Sequence, residues 1–229
     1  MVGNSEVALI VGAGQGLSAA LTRALAQRGT QIVLAARNAG KLSALVAETG
    51  ARAVACDAAK PEDVAALFAD VDAAEGTPDL VVFNPSRRVP GPLVDIDPGE
   101  VAAALMVSAF GGFLVGQAAA RRMLVRGSGS ILFTGASASV KGYPKSAAFA
   151  MGKFALRGLA QSMARELAPR NIHVAHFVID GGIRKPGSLD DDDKTLHADA
   201  IAASYLAVHQ QPRSAWTWEM ELRPWLENF

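Results

Sequence analysis

The sequence of 229 residues has a single cysteine, no excess of either charge and no repeated or low-complexity tract, and each absence narrows its reading. The lone cysteine, Cys56, cannot close an internal disulfide and suits a reducing compartment. Its small apolar side chain reads as a strand residue rather than a reactive thiol. Lys and Arg total 22, as do Asp and Glu, giving a formal net charge of +0. Without a broad basic face, nucleic acid and anionic membrane are not expected partners. His173, His176, His197 and His209 lack metal-ligand spacing, and His173 and His176, three apart on a strand, face opposite sides. No metal is expected. The segment before Val7 is short and polar, without the features of a signal peptide, and no apolar run is read as long enough to cross a bilayer. A soluble, cytoplasmic protein is expected. No linker divides residues 1–229, so they are read as one domain.

What is present begins with the stretch 7–28. Val7-Ala8-Leu9-Ile10-Val11 is an apolar run of strand length, Gly12-Ala13-Gly14-Gln15-Gly16 follows, and then Leu17, Leu21 and Leu25 recur at helical spacing. In a strand–glycine turn–helix unit the backbone can approach a ligand closely, and the first free N–H groups of the helix point at it. A pyrophosphate suits that geometry, so the stretch reads as a dinucleotide site. A glycine-rich turn with no ligand is the plain alternative.

Further along, strand and helix patterns alternate. Strands are expected at 31–36, 52–56, 80–83, 130–134, 173–179 and 217–222. Helices are expected at 39–48, from Pro61, and after 134 with Leu156, Leu159, Met163 and Leu167 on one face. Asp97-Pro98-Gly99-Glu100 is a capping box that opens a helix running, with a break near Gly111-Gly112, to about Val125. Residues 184–195 hold the acidic run Asp190-Asp191-Asp192-Asp193 and read as a solvated loop. Buried strands separated by amphipathic helices predict a doubly wound, Rossmann-like parallel α/β sheet with helices on both faces.

The order of elements and several landmarks resemble the short-chain dehydrogenase/reductase family over essentially the whole chain. Gly12 and Gly16 match its G-x-x-x-G-x-G loop, with Ser18 in place of the last glycine. Asp57 matches an acid that bonds the adenine amine in the family. Asn84 matches an asparagine of the family's N-N-A-G motif, whose next two positions are altered here to Pro85 and Ser86. Asp180-Gly181 falls where the family has Pro-Gly beside the nicotinamide. The resemblance implies a cofactor set of Gly12, Gly14, Gln15, Gly16, Leu17, Arg37, Asp57, Ala58, Asn84, Lys153, Gly181 and Ile183. At the end of the second strand a carboxylate would favour NAD, while a cation accommodates the 2′-phosphate of NADP. Here Ala36 is followed by Arg37, whose guanidinium suits phosphate, so NADP is expected, with NAD as the alternative.

The catalytic pattern departs from the family. Its Y-x-x-x-K pair, one face of a helix, corresponds to Phe149 and Lys153, its serine to Ala136 and its helix asparagine to Ser108. Losing a general acid usually costs about 10²–10⁴ in rate. Substitute donors are Ser137 and Ser139, Tyr143, Asp180 at a strand's C-terminal end, and water; partial burial would raise the Asp180 pKa. Each side chain has a structural alternative: backbone bonding, a loop anchor or a turn cap. The expected activity is NADP-dependent reduction of a carbonyl or related group, including an imine, in a small molecule. The rivals are a nucleotide-binding module without turnover and a non-redox lyase or dehalogenase. Family members commonly assemble as homodimers or homotetramers through the last strand and two long helices, which the resemblance extends to this chain. Trp216 and Trp218 beside that strand would alternatively close the chain's own core.

Overall fold

The computed structural model describes residues 5–185, 187–188 and 193–227. Among the described residues, seven strands form one parallel sheet: β1 (Val7–Val11), β2 (Gln31–Ala36), β3 (Arg52–Ala55), β4 (Leu80–Phe83), β5 (Gly129–Thr134), β6 (Ile172–Ile179) and β7 (Glu219–Leu222). Their order is β3-β2-β1-β4-β5-β6-β7, so the winding reverses beside β1, between β2 and β4. Ligands of open α/β sheets bind at such a reversal, outside the C-terminal ends of the strands.

The helices are α1 (Leu17–Ala26), α2 (Ser43–Thr49), α3 (Pro61–Ala74), α4 (Pro98–Leu105), α5 (Gly111–Arg126), α6 (Ala147–Leu167) and α7 (Ala198–His209). Ala8 and Ile10 of β1 pack with Leu21 and Leu25 of α1 and Tyr205 of α7. Leu9 and Val11 face the other way, into a layer with Phe68 of α3, Val115 of α5 and Leu156 of α6. Both faces of the strand are therefore covered, which is why it reads as an unbroken apolar run and not an alternating one. Each fully buried Leu, Ile or Phe side chain contributes about 1.5–3 kcal/mol.

Local chemistry sets several boundaries. Pro61 stands at the start of α3, where its missing N–H breaks no helical bond. Asp97 Oδ1 accepts from the Glu100 backbone N–H at 2.9 Å, the bond expected of the capping box. The break expected in the following helix is a π-helical turn, Met106–Phe110, between α4 and α5. The segment expected as a helix over 39–48 starts as a 3₁₀ turn, Ala39–Leu42, before α2.

Three expectations are corrected. Helix α7 was not foreseen, although Ile201, Tyr205 and Val208 lie on its buried side. The last strand is shorter than 217–222. The judgement that no segment is long and apolar enough for a bilayer also fails. Residues 98–126 form one helix of 29 residues with mean hydropathy 1.7, which meets that test by length and composition. Its Gly112 lies so close to α6 that a Cβ there would come within 2.4 Å of Leu156 Cδ1. Of the acidic run, Asp190, Asp191 and Asp192 lie outside the described residues; Asp193 pairs with His197 at 3.4 Å.

Candidate active site

The turn after β1 is fixed from behind. Gly12 adopts φ +81°, and a Cβ there would stand 2.6 Å from the backbone nitrogen of Pro85, so both conformation and space require glycine. The Asn84 backbone N–H donates to Val11 O at 2.9 Å, joining the ends of β1 and β4. Asn84 Nδ2 donates to Ser18 Oγ at 2.8 Å, and Ser18 Oγ donates to Gly12 O at 3.3 Å. Ser18, where the resemblance expects glycine, thus anchors the loop. Cβ atoms on Gly14 or Gly16 would meet nothing within 4 Å. Gly14 opens onto a cleft.

That cleft, about 710 Å³, lies at the C-terminal edge of β1, β2 and β4. Of the expected cofactor residues, Gly12, Gly14, Gln15, Arg37, Asp57, Ala58 and Asn84 line it. Arg37 is exposed and forms no ion pair among the described residues, and Lys41, which sequence reasoning missed, lines the same rim. Gly16 lies outside that lining but opens α1. The Leu17 side chain is buried in the core, so only its backbone can face a ligand there. Asp57 caps its own turn, its Oδ1 accepting from the Ala59 N–H at 3.1 Å. Cys56 also lines the cleft, with burial first, then Asp63 and Asp57, pushing its thiol up to about 11. It is held protonated and unreactive. Gly181 and Ile183 are not among the cleft-lining residues: Gly181 packs against Pro224, and Ile183 bridges to Leu196.

Beyond the cleft, at the ends of β5 and β6, Lys153 is 2% exposed and donates through Nζ to Thr134 O at 2.6 Å. Burial, and then the Arg88 guanidinium, push its ammonium down to about 7. The nearby Phe149 ring has its centroid 5.9 Å from Lys153 Nζ, and the Arg88 guanidinium lies 4.4 Å from the same centroid. Ser108 is buried in the π turn, its Oγ accepting from the Arg87 N–H at 3.3 Å. π turns recur at functional sites because they displace side chains from the regular helical face.

The other expected donors separate. Ser137 is half-buried, with no hydrogen bond to its hydroxyl among the described residues. Tyr143 is 45% exposed and makes no ring contact with Phe149. Asp180 is buried, but its Oδ2 pairs with both Lys141 and Arg223, each at 3.3 Å. It ties the 140s loop to the chain beyond β7. Ser139 is fully buried and engaged with His176, which corrects its reading as a donor to substrate.

That engagement belongs to a network the sequence did not disclose. His176 Nε2 lies 3.2 Å from Ser139 Oγ, and His176 Nδ1 lies 3.1 Å from Glu219 Oε2. Burial outweighs Glu219 and pushes His176 down to about 4, so the ring is neutral near pH 7. Nδ1–H then donates to the carboxylate, and Nε2 accepts from the Ser139 hydroxyl. Ser139 Oγ accepts in turn from the Ala136 N–H at 3.1 Å. Burial opposes the charge on Glu219, but Arg157 and His176 outweigh it and hold the carboxyl below its usual range. With serine and histidine both fully buried, this is a brace for the Ala136–Ser139 turn and not an accessible nucleophile. Glycine at 135 is required by the same histidine, because a Cβ would lie 2.3 Å from Nε2.

A doubly wound sheet with a glycine turn at its point of reversal and a buried lysine one strand further along defines a class of nucleotide-binding α/β proteins. The chain belongs to the short-chain dehydrogenase family, whose model matches residues 6–186. A short-chain dehydrogenase from Rhodopseudomonas palustris is 37% identical, with a TM-score of 0.84 over 96% of this chain and 99% of that one. A metagenomic short-chain oxidoreductase in complex with NADP is 29% identical, with a TM-score of 0.84 over 96% and 98%. Versicolorin reductase 1 of Aspergillus parasiticus is 32% identical over 188 residues, 79% of this chain and 71% of that protein.

Proposed function

We propose that this chain is an NADP-dependent oxidoreductase that reduces a carbonyl or related group, such as an imine, using a proton donor other than the family's tyrosine. The observation that carries the reading is the cleft at the reversal of the sheet, floored by a glycine backbone and edged by two cations. Gly14 and Gly16 leave room for a pyrophosphate against the start of α1. Arg37 and Lys41 follow a strand that ends in Ala36 without an acid, so the rim suits a 2′-phosphate. The metagenomic relative in complex with NADP supports the choice of cofactor. A bound nicotinamide dinucleotide would supply the hydride.

The chain's own residues must then position the substrate and handle the proton. Phe149 and Ala136 have no exchangeable side-chain proton, and Asp180 is held by two cations. Lys153, whose ammonium is pushed down to about 7, stands with Ser137, Tyr143 and water as the remaining proton donors. Ser137, whose hydroxyl has no hydrogen bond among the described residues, is the proposed partner of a substrate oxygen. Exposed Met106, Phe113, Met151 and Phe154 on the α4–α5 and α6 surfaces support a homo-oligomer built on those helices.

The test is a titration with NADPH and NADH, read by nicotinamide fluorescence and by melting temperature, on the native chain and on Arg37→Asp. NADPH should bind the native chain at least about tenfold more tightly than NADH, and the variant should lose that preference. Binding of neither nucleotide overturns the reading.

A further inference from the structure

Beside the site stand two neighbouring arginines that are treated differently. Arg87 pairs with Glu100, whereas Arg88 has no ion pair or hydrogen bond among the described residues. Its guanidinium lies over the face of Phe149, 4.4 Å from the centroid. It is close enough to the buried Lys153 to depress that ammonium. Two basic side chains therefore converge on one ring, Arg88 over its face and Lys153 5.9 Å from its centroid. Asp180, the buried carboxylate at the end of β6, is already matched by Lys141 and Arg223. Arg88 thus presents an exposed positive charge that no carboxylate among the described residues pairs, and an incoming anion would meet it there. An arginine stacked on an aromatic keeps its planar fork fixed, with N–H donors directed outward from the guanidinium rim. Such a fork matches a carboxylate.

We propose that Arg88, braced on Phe149, binds an anionic group of the substrate, so that the compound reduced is a carboxylate-bearing carbonyl or imine. This rests on the oxidoreductase reading, but the anion site is testable without turnover. Phenylalanine at 149 has a purpose on this account: its ring is the shelf for the guanidinium. Arg88 is a specificity residue, separate from the candidate proton donors.

The experiment is calorimetric titration with benzoate, using neutral benzamide as the control, on the native chain, Arg88→Gln and Arg88→Lys, each with and without saturating NADPH. Arg88 is exposed, so both variants should fold, which melting temperature checks. Benzoate should bind the native chain, weaken by about tenfold or more in Arg88→Gln and be partly retained in Arg88→Lys, while benzamide should bind all three equally weakly. Absence of benzoate binding to the native chain, equal affinity in Arg88→Gln, or benzamide binding as well as benzoate overturns the proposal. The NADPH titration on the same samples reports separately on the oxidoreductase reading. Benzoate binding that depends on Arg88 in a chain that ignores NADPH would retain the anion site and remove the redox role.

Discussion

Replacing Lys153 by methionine isolates the energetics of the buried ammonium. Burial lowers its pKa from 10.5 to about 7, so the folded chain disfavours a charge that the unfolded chain carries freely. At 1.36 kcal/mol per pH unit the difference withholds about 4–5 kcal/mol of folding free energy below pH 7. Methionine removes that penalty and is of similar length, but it forfeits the bond from Nζ to Thr134 O, a loss of about 1–3 kcal/mol. Near pH 7 the variant should therefore be the more stable by about 1–3 kcal/mol. The sign follows from the depressed pKa. The penalty is full below about 7 and fades as pH rises through the unfolded value of 10.5, because over that window the unfolded chain holds a proton the folded chain has released. The advantage of Lys153→Met should shrink with rising pH and reverse near the top of that window, leaving only the lost bond. Urea unfolding followed by tryptophan fluorescence, from about pH 6 to about pH 10, measures this directly. A stability difference that does not change with pH would refute the buried, depressed ammonium and with it the case for Lys153 as a donor.

Phe149→Tyr places a phenol beside Lys153 while keeping a ring face for Arg88, and should raise carbonyl reduction with NADPH by about 10² or more. An unchanged rate would mean that proton supply does not limit turnover. His176→Leu strips partners from Ser139 and Glu219 and should destabilise the chain by about 2–4 kcal/mol in urea unfolding at neutral pH. A loss below about 1 kcal/mol would mean the network braces nothing. The native chain should also lose stability as pH falls from 6.5 toward about 4, since the unfolded histidine protonates in that window and the folded one does not. The variant should show a shallower acid slope.

Much of the framework was legible because it is written in local chemistry. Val7–Val11 is apolar at every position, as a strand covered on both faces must be, and the glycines after it announce a turn that side chains would obstruct. Pro61 and the Asp97 box mark helix starts through backbone rules that act within a few residues. Helix α7 had a readable periodicity at Ile201, Tyr205 and Val208 that was overlooked beside the acidic stretch preceding it. Lys41 and Arg88 were not singled out, although each stands near a residue that was, Arg37 and Asn84. Their signal was proximity to a motif, but position around a cleft depends on how the loop turns.

The sequence by itself determined the alternation of strand and helix, the glycine turn, the cation after β2, and the absence of a phenol and a hydroxyl at Phe149 and Ala136. These follow from residue identity and short-range periodicity. Only the tertiary structure decided which charges are satisfied. Parallel register sets His176 beside Glu219, 43 residues away in the chain, and the end of β5 brings Ser139 to the same ring. The fold likewise pairs Asp180 with Lys141 and Arg223, buries Lys153, and leaves Arg88 resting on Phe149. Electrostatic neutralisation and burial are properties of neighbours in space, and here those neighbours come from strands and loops that the sequence keeps far apart.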